Sequence, residues 1–76
     1  MDIYTDVKNL FPELKKIDKS EYVTILDEDI KFSISSGEAL MKIRHHLKAL
    51  NSETGNSFII KAKCKDILKD ISTLLE

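Results

Sequence analysis

Two histidines, His45 and His46, stand side by side within a run of cations formed by Lys42, Arg44 and Lys48. Imidazole moves protons near neutral pH and ligates metals. A metal site built on one helix needs ligands three or four residues apart, because neighbouring side chains point about 100° apart. His45 and His46 are adjacent, so they cannot chelate one ion together. Glu38 and Met41 share a face with His45 but bring it no second imidazole or thiolate. No metal site is expected. Lys42, Arg44, His45 and Lys48 instead form a local basic patch suited to an acidic partner or a phosphate. The plainer reading is a solvated face with cations near a helix C-terminus, where the dipole favours them. His46 falls beside Ile43 and Leu50, at the edge of a buried stripe.

Cys64 has Lys63 and Lys65 as neighbours and is expected to open a helix. Both features lower a thiol pKa and would suit a nucleophile or redox thiol. It is also in register with Ile67, Leu68 and Ile71, which favours a small core residue. No dyad or triad is visible around it in the sequence. Asp27-Glu28-Asp29 could hold a hard cation or mimic phosphates, but calcium loops spread oxygen ligands over about twelve residues around a glycine. That pattern is absent, and a solvated turn is expected. A second basic line runs through Lys61, Lys63 and Lys65. If their strands neighbour one another, Lys31, Lys61 and Lys63 share an open sheet face with Val23 or Ile25 and Ile59. Such a face could bind a protein, or guard a sheet edge against aggregation.

The elements that must position these residues follow from hydrophobic spacing. Ile3, Val7, Leu10, Leu14 and Ile17 repeat every three or four residues, so a helix is expected over 3–17. Thr5 would cap it. Pro12 must kink it near Phe11, or split it into two short helices with Pro12 at the first position of the second. Residues 21–26 are rich in β-branched and aromatic side chains, and Ile30-Lys31-Phe32-Ser33-Ile34 alternates. Two strands joined by the acidic turn would form a hairpin. Ile30, Phe32 and Ile34 would then face the core. Residues 36–50 are expected as a helix, with Ser35 and Glu38 as a capping box and Leu40, Ile43, Leu47 and Leu50 buried. Asn51–Asn56 reads as a loop, 57–63 as a third strand and 64–75 as a last helix.

This order, α-β-β-α-β-α, predicts one α+β domain over residues 1–76 with a three-stranded sheet and helices on one face. With Ile3-Tyr4 counted as a short first strand, the order is similar to that of small phosphocarrier proteins of sugar transport. No histidine stands before the first helix to carry a phosphoryl group, and no family is identified.

Composition narrows function. The chain has 76 residues, 33 % of them charged, with a formal net charge of −1. The balance of signs argues against disorder and against bulk binding to nucleic acid or anionic membranes. One cysteine permits no internal disulfide and points to a reducing, cytoplasmic setting. No leader or membrane-spanning run is visible. No nucleophile set, acid pair, metal set or cofactor loop is apparent, so neither catalysis nor a cofactor is expected. The leading expectation is a small protein-binding module, a regulator or inhibitor from a bacterium, phage or mobile element that covers a larger protein's surface. Nucleic-acid binding through the basic middle helix and homodimerisation as a structural protein are the alternatives.

Overall fold

The computed structural model describes residues 2–53 and 55–75. Among them it is all-helical, which overturns the α+β expectation and its three-stranded sheet. The order is α1 (Ile3–Lys8), α2 (Phe11–Lys16), α3 (Ser20–Lys31), α4 (Ser36–Ser52) and α5 (Phe58–Leu75). The likeness in element order to phosphocarrier proteins falls with the strands.

Pro12 splits the first stretch as its chemistry requires. It is the second residue of α2, where its missing N–H leaves no helical bond unmade. The cap of α1 is Asp2 rather than Thr5. An Asp2 oxygen accepts from the Tyr4 N–H at 3.0 Å, and the Thr5 hydroxyl donates to the other at 3.0 Å. Helix α2 ends in a Schellman motif. The Lys19 N–H returns to the Leu14 carbonyl at 2.9 Å and the Asp18 N–H to Lys15 at 3.3 Å. This closure puts Asp18 at φ 61°, in the left-handed region usually given to glycine.

The expected hairpin is α3. Tyr22, Val23, Leu26 and Ile30 all pack on or in the core, a helical spacing that the β-branched run conceals. Asp27-Glu28-Asp29 is mid-helix, not a turn. A two-residue hairpin wants glycine or asparagine at positive φ, and this tripeptide has neither. The alternation of 30–34 is broken by the end of α3 at Lys31, which leaves Phe32 73 % and Ile34 94 % exposed instead of buried.

The expected third strand is the start of α5. Ser57 Oγ accepts from the Ile60 N–H at 3.2 Å and caps the helix. Ile60, Cys64, Ile67 and Ile71 form one buried stripe, while Phe58 and Ile59 are exposed. Cys64 therefore sits two turns into a helix rather than at its first residue.

Helix α4 forms where expected and runs to Ser52. Ser35 Oγ accepts from the Glu38 N–H at 3.2 Å, and Glu38 Oε2 reaches back to the Ile34 N–H at 3.2 Å. At its far end the Asn56 amide donates to the carbonyls of Leu50 (2.7 Å) and Glu53 (3.2 Å). Gly55, at φ 85°, supplies the turn. Thr54, in the expected loop, lies outside the described residues.

The core draws Val7, Leu10, Leu14, Leu26, Ile43, Leu47, Leu50, Ile60, Cys64 and Ile71 from all five helices and their connections. Helix α4 packs between α3 and α5, while α1 rests on α5 and α2 on α3. Among the described residues no helix is long and apolar enough to cross a membrane.

Candidate functional site

The cations of α4 are distributed, not gathered. Successive residues turn by about 100°, so Lys42 and Arg44 lie on opposite flanks of the outer face, with His45 and Lys48 between them. His45 and Lys48 are exposed and Arg44 is half-buried. Lys42 Nζ lies 3.0 Å from Glu38 Oε1, one turn back. That hydrogen bond, and then the Ile34 N–H, hold the Glu38 carboxyl below its usual range. No such pairing reaches Arg44 or Lys48 among the described residues.

The lysine-bearing sheet face does not exist. Lys31, the last residue of α3, pairs with Asp27 at 2.9 Å. Lys61 and Lys63 lie in the first turns of α5. The two sets fall at opposite ends of α4, whose 17 residues span roughly 25 Å. Lys61 and Lys65 point to solvent, while Lys63 turns into a groove of about 470 Å³ between α1 and α5, beside Asp6, Asp66 and Asp70. Two lysines and three aspartates line this groove, so it offers no single sign of charge to a ligand.

His46 turns inward, where its Nδ1 meets Asp29 Oδ2 at 2.5 Å across the α3–α4 interface. Asp29 is the charged residue of the core, 7 % exposed. A carboxylate that orients an imidazole is half of a catalytic triad. The other half is missing, because no hydroxyl or thiol is bonded to His46 Nε2 among the described residues. Ser33 is committed to the Asp29 carbonyl at 2.6 Å. Cys64 is fully buried, and burial pushes its thiol up to about 11, the reverse of an activated nucleophile. No group of three or more His, Cys, Asp or Glu side chains among the described residues could hold a metal ion.

A second polar cluster ties α3 to the α4–α5 connection. Glu53 accepts from the Tyr22 hydroxyl and from Lys19 Nζ, the latter at 3.0 Å. The Tyr22 hydrogen bond, then Lys19, lower the Glu53 pKa. The same bond, then burial, push Tyr22 up to about 12. These groups fasten the start of α3 to the α4–α5 connection.

The feature missed by sequence reasoning is the apolar connection between α3 and α4. Phe32 and Ile34 stand in solvent, and Met41 on the outer face of α4 is 57 % exposed. The backbone of Ile34, just before the Ser35 cap, is tied to the first turn of α4 by its bond to Glu38. A signal was present: once Ser35 is the cap of α4, residues 32–34 must be connection rather than strand. No family model, curated protein or solved structure matches this chain.

Proposed function

We propose that this chain is a non-catalytic protein-binding module, a small regulator or inhibitor of bacterial, phage or mobile-element type that covers part of a larger protein in a reducing cytoplasm. The exposure of Phe32 and Ile34, at 73 % and 94 %, carries the reading. Two large apolar side chains on one short connection are costly to leave in water, at roughly 1.5–3 kcal/mol for each side chain that burial would relieve. Contiguous apolar surface rimmed by charge is characteristic of interaction sites. The single buried thiol suits a reducing compartment.

The test is affinity capture from host lysate with the native chain and with Phe32→Ser/Ile34→Ser, both checked for helical content by circular dichroism. A stoichiometric protein held by the native chain and lost by the folded variant is the expected result. Equal capture by both refutes the role of the connection, and capture of nucleic acid released by salt would replace the reading with the nucleic-acid one. The same exposed patch also favours a second reading, in which another copy covers it. Sedimentation at the mass of one chain across micromolar concentrations would remove that reading.

A further inference from the structure

The apolar connection leads directly into α4, and the charges on the outer face of that helix identify what fits them. Ile34 stands one residue before the Ser35 cap of α4, its N–H bonded to Glu38 in the first turn, and Met41 is exposed on the outer face of the helix beyond. His45 and Lys48 continue that face over the next two turns, with Arg44 on one flank. The patch therefore passes from apolar to cationic along roughly 20 Å of helix. Its charge is uncompensated at one end. Lys42 is spent on Glu38 at 3.0 Å, whereas Arg44 and Lys48 have no carboxylate within ion-pair distance among the described residues.

We infer that the occupant of this patch is an amphipathic helix of a partner protein that carries carboxylates beside its apolar stripe. The inference rests on the protein-binding reading and names the partner's chemistry. Apolar side chains one or two turns apart would cover Phe32, Ile34 and Met41. Carboxylates a turn or two further along would meet Arg44 and Lys48. A helix fits better than an extended peptide, because strand addition needs a sheet edge and the described residues contain none. An anionic lipid or nucleic-acid surface fits poorly. The formal net charge is −1 and the neighbouring helix α3 exposes Glu21 and Glu28, which disfavours adsorption to an extended anionic surface.

The experiment is a display selection of a random-sequence library of helical peptides against the full chain. The expected winners combine an apolar stripe with glutamate or aspartate at one end. Arg44→Glu/Lys48→Glu should weaken them at least about tenfold, and Phe32→Ser/Ile34→Ser should abolish binding. Winners that are neutral or basic, or acidic winners indifferent to the Arg44→Glu/Lys48→Glu change, overturn the inference and leave the module reading to the lysate capture. A library that yields no binder overturns it as well. Binding to phosphatidylserine vesicles that is lost in both variants would replace the helix with a lipid surface.

Discussion

Severing the Asp29–His46 pair should be among the most damaging polar changes in this protein, and the damage should be asymmetric. A chain of 76 residues has roughly 4–11 kcal/mol of stability in total. The Asp29 side chain is 9 % exposed and that of His46 29 %. Removing the imidazole with His46→Ala strands a buried carboxylate, which costs about 2–4 kcal/mol. Removing the carboxylate with Asp29→Ala strands an imidazole nitrogen that water still reaches, at about 1 kcal/mol. The double variant leaves nothing stranded, so its loss should fall short of the sum by about 1–2 kcal/mol. Urea unfolding followed by circular dichroism gives each free energy. For a domain this small 1 kcal/mol moves the melting temperature by roughly 4–8 °C, so His46→Ala should melt about 10 °C or more below the parent. Single losses that add to within about 0.5 kcal/mol would show that the two groups do not depend on each other. A larger loss from Asp29→Ala than from His46→Ala would refute the claim that carboxylate burial dominates.

Three further outcomes are open to simple measurement. Asp18→Gly should raise the unfolding free energy by about 0.5–1 kcal/mol, because it relieves a side chain held in the left-handed region by the Schellman closure, whereas Asp18→Val should lower it. Ile60→Ala should cost about 2–4 kcal/mol and Phe58→Ala close to nothing in the same assay; comparable losses at the two positions, which a strand would place on one face, would count against the helical register. The Tyr22–Glu53 bond should mark both pH limbs of stability. Glu53 is lowered in the fold, so its contribution is complete above the ordinary carboxylate range near about 4.3 and is lost as pH falls through the lowered value. Tyr22 is pushed up to about 12, so its contribution holds below the ordinary value near about 10 and is lost from there towards 12. Tyr22→Phe should flatten both limbs, and unchanged pH profiles would count against the bond.

The legible parts of this fold are those where cap and stripe agree. Ser35 with Glu38 ahead of Ile43, Leu47 and Leu50 announces α4. Ile3, Val7, Leu10 and Leu14, interrupted at Pro12, announce α1 and α2. The misread parts are those where local preference and stripe conflict. Val23, Thr24 and Ile25 favour a strand by well under 1 kcal/mol each, while the spacing of Tyr22, Val23, Leu26 and Ile30 buries a whole helix face. The larger quantity wins. The glycine-free Asp27-Glu28-Asp29 already spoke against a hairpin. In α5, Ile60 stands four residues before Cys64, so the stripe begins a turn earlier than the alternation around Lys61 suggests. The exposure of Phe32 and Ile34 depended on where α3 ends, and an alternating pattern hides that point. Arg44 and Lys48 were legible as cations on α4, but the sequence does not show that Lys42 pairs with Glu38 while neither of them has an ion-pair partner among the described residues.

Helix α1 has six residues, too few to persist in water by itself, and it rests on α5 from the other end of the chain. Its order is therefore borrowed. Tyr4, packed against the core on α1 in a chain without tryptophan, becomes a natural optical reporter of whether the last helix is in place. With Tyr22 replaced by phenylalanine, tyrosine emission would follow the docking of the two distant ends while circular dichroism follows the chain as a whole. Any gap between the two signals would measure how far the ends loosen before the centre gives way.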